Sequence, residues 1–263
     1  MIPALIVIGA LLILYPLLFL DCRRFVITKA KISHAKVKTP FTVVQVSDLH
    51  DRAFGTKQEK LLGTIREAKP DLVVITGDLF NRHKKEACEN AFTFVQGVTS
   101  VAPVYFAEGN HEIAMRETGE RYIERIREMG VHVLRNEYAG LDRCRLIGLT
   151  QYAAPDTLSS MLDPDRLNLV LAHRPELFPM YAGTGADVVL SGHAHGGQFR
   201  FFGVGLYAPG QGFFPRYTAG LYRWQKATLY VSRGLGNTIP FPRIFNTPEL
   251  NMLQFVPIEQ GGE

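Results

Sequence analysis

The chain has 263 residues, of which 46% are hydrophobic and 21% are charged, and this composition excludes a disordered chain. The net charge of +4 is mild, and no basic stripe alternates with aromatic residues, so we expect no nucleic-acid partner. The three cysteines, Cys22, Cys88 and Cys144, form no CxxC pair, which argues against a disulfide scaffold or a zinc finger.

The first segment of the chain is strongly apolar. No charged residue occurs from Ile2 to Leu20, and a helix of this length spans the hydrocarbon core of a bilayer. A cleaved signal peptide is the alternative, but no Lys or Arg precedes the apolar run. We predict a transmembrane anchor over residues 1–21 and a basic linker over residues 22–40. The basic residues follow the span, which favours a cytoplasmic catalytic domain over the extracytoplasmic alternative.

Short β-branched runs alternate with helical patterns through the rest of the chain. The predicted helices are Lys57–Ala68, Lys85–Val98 and Glu120–Met129. The predicted strands are Phe41–Val46, Leu72–Thr76, Val104–Ala107, Val131–Leu134, Arg145–Leu149, Asn168–Ala172, Val188–Leu190, Leu229–Ser232 and Met252–Val256. This alternation predicts an α/β fold, with more antiparallel pairing toward the end.

The stretch from Gln198 to Pro215 mixes aromatic residues with glycines and cannot form a regular helix. One interpretation is a loop that packs under the sheet and turns at its glycines. The other is an apolar rim that contacts a membrane or a lipid substrate.

Five predicted strands run into side chains that can bind a metal. These sequences are Ser47-Asp48-Leu49-His50, Gly77-Asp78, Gly109-Asn110-His111-Glu112, His173-Arg174-Pro175 and Gly192-His193-Ala194-His195. In open α/β sheets, ligands bind at the carboxyl ends of the strands. Carboxylate, amide and imidazole donors without thiolate suit Mn²⁺, Fe²⁺, Zn²⁺, Co²⁺ or Ni²⁺ better than a structural zinc. The other histidines, His34, His83 and His132, are predicted to be solvated or to pack.

These blocks, in this order, resemble the motifs of the calcineurin-like metallophosphoesterase family, and the resemblance extends from Phe41 to Phe255. The phrases SGHAHGGQ, APGQGFFPRYTAGLY and SRGLGNTIP resemble its membrane-associated bacterial branch. That branch includes phosphodiesterases and proteins similar to UDP-2,3-diacylglucosamine pyrophosphatases. The resemblance implies a four-layer α/β/β/α sandwich over residues 41–257, with the site at one edge.

The resemblance also implies roles for individual residues. The implied metal ligands are Asp48, His50 and His195 for the first of two ions, Asn110, His173 and His193 for the second, and Asp78 as the bridge. His111 is the implied proton donor, with support from Asp48. Arg82 and Arg174 have no fixed counterpart in the family. Each is interpreted either as a fork that grips a second phosphate or as an ordinary exposed arginine.

We therefore expect a phosphoesterase with two divalent ions, most plausibly Mn²⁺, Zn²⁺ or Fe²⁺, that cleaves phosphodiester or pyrophosphate bonds in a lipid-linked or nucleotide-sugar substrate at the membrane. A tethered phosphodiesterase for soluble substrates is the first alternative. An inactive scaffold with the same fold is the second, although such a protein should lack ligands or the donor histidine, and this chain retains them all.

Overall fold

A computed structural model describes residues 24–84, 87–238 and 242–258 of the chain. The predicted anchor over residues 1–21 lies outside these ranges. Within them, every helix is too short or too polar to cross a bilayer.

The first sheet has six strands in the order β1-β16-β2-β3-β4-β5. Their bounds are Val26–Ser33 (β1), Phe41–Val46 (β2), Leu72–Thr76 (β3), Val104–Ala107 (β4), His132–Val133 (β5) and Glu249–Val256 (β16). Strands β2 to β5 are parallel, and their continuous runs of Val, Ile and Leu fit a sheet that is covered on both faces. Strand β16 is antiparallel to β2 and parallel to β1.

The second sheet also has six strands, in the order β14-β15-β9-β8-β7-β6. Their bounds are Glu137–Gly140 (β6), Arg145–Gly148 (β7), Asn168–Leu171 (β8), Val188–Ser191 (β9), Gly220–Trp224 (β14) and Ala227–Val231 (β15). The four central strands are parallel, while β6 and β14 are antiparallel to their neighbours.

The described residues form six α-helices, most of which cover the outer faces of the two sheets. They are α1 (Glu59–Ala68), α2 (Glu89–Val98), α3 (Asn110–Ala114), α4 (Glu117–Glu128), α5 (Pro155–Ser159) and α6 (Phe178–Gly183). One buried cluster joins α1, α2 and α4 to the first sheet, a second fills the space between the sheets, and a third joins α5 and α6 to the second sheet. These three cores give four layers, α/β/β/α.

All nine predicted strands are present: three have the predicted bounds, and the ends of the other six lie within three residues of the prediction. The sequence analysis missed β1, which lies within the stretch predicted as a basic linker. Because β1 is an edge strand with exposed lysines at Lys29 and Lys31, its pattern is too polar to stand out from a linker. It also missed β6 and β14, the two edge strands of the second sheet, which are short and lack a run of buried residues.

The aromatic stretch after β9 forms two small hairpins, β10 (Arg200–Phe201) with β11 (Val204–Gly205) and β12 (Tyr207–Ala208) with β13 (Gly212–Phe213). The interpretation of this stretch as a loop that packs under the sheet is wrong, because most of its aromatic side chains are exposed.

Candidate metal centre

The loops after β2 and β3 lie side by side at one edge of the first sheet. The backbone N–H of Asp48 donates to the carbonyl of Gly77 over 3.0 Å, and that of His50 donates to Asp78 over 3.0 Å. These bonds continue the pairing of the two parallel strands beyond their last residues. They hold a carboxylate from each loop at the same edge.

Five of the seven predicted ligands adopt left-handed backbone conformations. The φ angles are 50° for Asp48, 49° for His50, 53° for Asp78, 65° for His193 and 46° for His195. This conformation costs a residue with a Cβ atom about 1–2 kcal/mol. Such strain persists where the surrounding structure enforces it and clusters at functional sites.

The glycines of the motifs allow close approach between the loops. A Cβ atom at Gly192 would lie 1.8 Å from Oγ of Ser47 and 2.3 Å from Oδ2 of Asp48. One at Gly109 would lie 2.2 Å from Oδ1 of Asp78. Any other residue at these two positions would push a carboxylate out of place.

One group of donors consists of Asp48, His50 and His195, all buried. The Nε2 atoms of the two imidazoles are 3.4 Å apart. Oδ1 of Asp48 is 3.6 Å from Nε2 of His195 and 3.9 Å from Nε2 of His50. Ligand atoms of one metal ion are separated by distances of this kind, since each lies about 2 Å from the ion.

A second group consists of Asp78, His173, His193 and Asn110. Nε2 of His173 lies 3.3 Å from Oδ2 of Asp78, 3.2 Å from Oδ1 of Asn110 and 3.2 Å from Nδ1 of His193. Oδ2 of Asp78 is also 3.7 Å from Nε2 of His50 in the first group. The structure thus brings all seven predicted ligands together, with Asp78 between the two groups.

Hydrogen bonds outside the groups orient two of the imidazoles. Nδ1 of His173 lies 2.7 Å from the carbonyl of Thr76, and Nδ1 of His50 lies 3.3 Å from that of Phe80. A carbonyl only accepts, so each Nδ1 carries a proton, and Nε2 on the other side of the ring is the atom that can bind a metal. Nε2 of His193 is buried and has no hydrogen-bond partner among the described residues. This donor set fits divalent ions that accept mixed nitrogen and oxygen ligands.

Burial and neighbouring charges shift the ionisation of the cluster. Burial raises the pKa of Asp48 to about 6 and lowers the pKa of His50 and of His193 to about 3. Burial acts to lower the pKa of His173, but the adjacent Asp78 carboxylate raises it to about 10. Burial also acts to raise the pKa of Asp78, yet the imidazoles, His173 first, hold it well below its usual range.

The carboxylate of Glu112 organises this edge, a role that the sequence analysis did not assign. It accepts backbone N–H bonds from Asp78 (2.9 Å), Phe80 (3.1 Å) and Gly109 (2.8 Å). Glu112 therefore ties the loop after β3 to the loop after β4. Its place three residues after Gly109, at the start of α3, is that of the glutamate in a helix capping box, of which only the glutamate half can form because glycine has no side chain.

His111 lies beside the cluster and lines the adjacent pocket. Its Nδ1 accepts the backbone N–H of Arg82 over 3.2 Å, which leaves the proton of the neutral ring on Nε2. That Nε2 is 4.0 Å from Oδ2 of Asp78. Burial lowers the pKa of His111 to about 4. The resemblance implied support from Asp48, but the carboxylate next to this imidazole belongs to Asp78.

A buried arginine that sequence reasoning missed contacts the first group. The guanidinium of Arg243 donates to Nδ1 of His195 over 3.0 Å and to the carbonyl of Arg233 over 2.6 Å. The side-chain amide of Asn246 donates to the carbonyl of His195 over 2.7 Å. Both residues lie about fifty positions from His195 in the chain, so no local sequence motif predicts these contacts.

The pocket beside the cluster has a volume of about 300 Å³. Arg82 and His83 line it, together with Tyr207 and Thr238. His83 was predicted to be solvated or packing; it is exposed, and its ring centroid lies 5.5 Å from that of His111. Arg174 does not line the pocket, and its Nε donates to Glu176 over 2.7 Å.

The other two histidines outside the motifs lie away from the pocket. His34 is 3.5 Å from Asp187, and His132 stacks on Tyr105 with ring centroids 4.8 Å apart. Both have structural contacts, as predicted.

Comparison with known proteins gives one family. Residues 41–197 match the family described as calcineurin-like phosphoesterase. The protein YpbG of Bacillus subtilis is 31% identical over 84% of this chain and 83% of its own length. The phosphodiesterase YaeI of Escherichia coli is 29% identical over 82% of this chain and 83% of its own length.

A more distant relative is the UDP-2,3-diacylglucosamine pyrophosphatase LpxG of Chlamydia muridarum, which is 23% identical over 81% of this chain and 82% of its own length. Among solved structures, the sulfate thiohydrolase SoxB of Thermus thermophilus aligns with a TM-score of 0.51 and 14% identity, over 78% of this chain and 53% of that one. At that identity the likeness concerns the fold alone.

Proposed function

Since the chain belongs to the calcineurin-like phosphoesterase family and is a metal-dependent phosphohydrolase, we propose that it hydrolyses phosphodiester or pyrophosphate bonds with two divalent ions. The observation that carries this proposal is the position of Asp78. Its carboxylate lies within 4 Å of imidazoles from both donor groups, as a ligand shared by two ions would.

Asp48, His50 and His195 would hold the first ion, Asn110, His173 and His193 would hold the second, and Asp78 would be shared between them. When bound, the two ions lower the pKa of the attacking water and offset the negative charge that develops on the phosphate. Mn²⁺, Zn²⁺ and Fe²⁺ suit these donors. The protein contributes by burying the donors and fixing the imidazole orientations through Thr76 and Phe80.

His111 is the proposed proton donor to the leaving group. Its neutral ring carries a proton on Nε2, and the residue lines the pocket where substrate would bind. Arg82 lines the same pocket, and we propose that its guanidinium binds a phosphate oxygen of the substrate. Arg174 is a weaker candidate for this role, because it forms an ion pair with Glu176.

The proposed substrate is a lipid-linked or nucleotide-sugar phosphoester at a membrane. The uncharged N-terminal segment and the names of the relatives YaeI and LpxG support this choice. We also propose that residues 1–21 anchor the chain, with the catalytic domain on the cytoplasmic face because basic residues follow the apolar run. A tethered enzyme for soluble diesters is the second candidate, supported by the solvent-open pocket mouth beside the exposed Arg82.

The test is a substrate screen on the purified full-length chain supplied with Mn²⁺. UDP-diacylglucosamine, soluble chromogenic diesters and monoesters are compared at equal concentration, with metal content measured in parallel. We expect hydrolysis of diesters or pyrophosphates to exceed that of monoesters, and two ions per chain. A protein that retains no metal, or that turns over none of these substrates with two ions bound, would contradict the proposal.

A further inference from the structure

Six exposed aromatic residues lie near the pocket, and we call this set the aromatic rim. Its members are Phe201, Phe202, Tyr207, Phe213, Phe214 and Phe245. Phe201 contacts Phe245 with ring centroids 5.9 Å apart, and Tyr207 contacts Phe213 at 5.4 Å. Phe202 is fully exposed, and Phe213, Phe214 and Phe245 expose 72%, 75% and 74% of their surface. A group of exposed aromatic residues on the surface of a folded domain marks an interaction site.

The backbone at three rim positions argues against chance exposure. Phe202, Phe214 and Phe245 have φ angles of 49°, 52° and 50°. A left-handed residue with a Cβ atom costs about 1–2 kcal/mol, and glycine at the same turn would avoid this cost. Phe245 contacts Phe201, but Phe202 and Phe214 are mostly exposed, so burial within the described fold offsets little of this cost at those two positions. An aromatic residue that is strained and exposed fits a surface that binds something outside the described fold.

Strand register places the rim, the pocket and the start of the described chain at one edge. The ligand loops follow the carboxyl ends of β2, β3 and β9. Since Asn251 of antiparallel β16 pairs with Gln45, the beginning of β16 lies at that same edge. Val26 of β1 pairs with Glu249 of β16, and its N–H donates to Pro248, three residues after Phe245. The first described residues thus lie at the edge that carries the rim.

Charge along the rim segment matches an anionic surface. Between Val188 and Pro248 the sequence contains no aspartate or glutamate, whereas it contains several arginines. One of these, Arg216, is exposed next to the second hairpin. The carboxylate of Glu176, which lies beside Gly210, comes from another part of the chain and is paired with Arg174. Basic residues favour anionic headgroups, and Phe and Tyr are among the side chains that insert at the membrane interface.

We propose that the aromatic rim inserts into the interface of an anionic phospholipid bilayer and holds the mouth of the pocket against it. The substrate is then an amphiphilic phosphoester whose apolar part stays in the bilayer while its phosphate reaches Arg82 and the ligand cluster. This inference rests on the proposed function for the chemistry of the substrate. The insertion itself is independent of that chemistry.

Fluorescence quenching by brominated lipids tests the insertion directly. Trp224 is the only tryptophan, so Trp224→Phe gives a background for single Phe202→Trp and Phe214→Trp reporters. The full-length variants are reconstituted in phosphatidylglycerol vesicles that contain lipids brominated along the acyl chain. We expect at least twofold quenching for both reporters. The matched control is Tyr138→Trp, an exposed aromatic on the far edge strand β6, which should be unquenched.

A lack of quenching at positions 202 and 214 would overturn the proposal. Quenching without any hydrolysis would leave the rim intact and count against the proposed function, so the two failures are distinguishable.

A second measurement uses the chain with Trp224 in place. The double variant Phe202→Ser and Phe214→Ser should lose at least fivefold activity on UDP-diacylglucosamine embedded in vesicles. Its activity on bis(p-nitrophenyl) phosphate in water should stay unchanged. An equal loss on both substrates, or no loss on either, would contradict the membrane contact.

Discussion

Nε2 of His173 lies 3.3 Å from Oδ2 of Asp78, while Nδ1 of the same ring lies 2.7 Å from the carbonyl of Thr76. In the metal-free protein this imidazole is an imidazolium paired with a carboxylate, because Asp78 raises the pKa of His173 to about 10 despite burial. A metal ion at this position takes the place of the Nε2 proton. The same positions of His173 and Asp78 therefore suit an ion pair in the absence of metal and two metal ligands in its presence.

Metal binding should strengthen as the pH rises. Below pH 10 a metal ion must displace one proton from His173, so apparent affinity for Mn²⁺ should increase about tenfold per pH unit. Below pH 6 the slope should steepen, because burial raises the pKa of Asp48 to about 6 and that carboxylate also takes up a proton. Calorimetric titration at pH 6.5 and 7.5, in two buffers of different ionisation enthalpy, measures both affinity and proton release. Affinity that does not change with pH would show that His173 is unprotonated without metal.

Removing the proton donor should separate chemistry from metal binding. His111→Gln should lower kcat about 100-fold or more and keep two ions per chain, since His111 is not a proposed ligand. Asp78→Asn should lose metal and activity together, because Asp78 lies between both donor groups. The control His34→Gln removes a histidine outside the cluster and should leave both quantities unchanged. Equal small losses in the His111 and Asp78 variants would contradict these assignments.

A single methyl group at Gly192 should disable the first donor group. The added Cβ would meet Oγ of Ser47 at 1.8 Å and Oδ2 of Asp48 at 2.3 Å, so Asp48 must move. We expect Gly192→Ala to weaken metal binding by about tenfold or more, as displaced ligand shells do. Gly63→Ala is the matched control, because its Cβ would meet no atom within 4 Å on helix α1. That change should stabilise the fold by about 0.5–1 kcal/mol, measured by urea unfolding.

Loss of the Arg243 guanidinium should weaken the ion held by His195. Arg243→Met removes the bond to Nδ1 of His195 and should reduce metal affinity at that position about 10- to 100-fold. Arg243→Lys should restore part of it. Thermal unfolding confirms that each variant is folded, and metal titration then measures occupancy. Arg223→Met, at an exposed position on β14, serves as the control. If the folded Arg243→Met variant bound as much metal as the unchanged protein, Arg243 would have no role in positioning His195.

Local sequence was sufficient for the buried parallel strands. Runs such as LVVIT at Leu72–Thr76 are covered on both faces, so their hydrophobicity is continuous and their bounds were predicted correctly. The sequence analysis did not predict the edge strands β1, β6 and β14, because an edge strand pairs with a neighbour on one side only and tolerates polar residues. Whether the aromatic hairpins pack or face solvent could not be decided from composition, since burial depends on what covers a residue.

For the candidate site, short motifs that each follow a strand, together with the family resemblance that their order implies, named seven candidate donors and His111. Only the tertiary structure brought Asp78 between the two groups and put Arg243 against His195. It also showed that the carboxylate next to His111 is that of Asp78 and not that of Asp48, and it placed the rim at the edge of the pocket. The reason is physical: a motif records which side chains leave a strand end, whereas the distance between atoms far apart in sequence is set by how two sheets pack face to face.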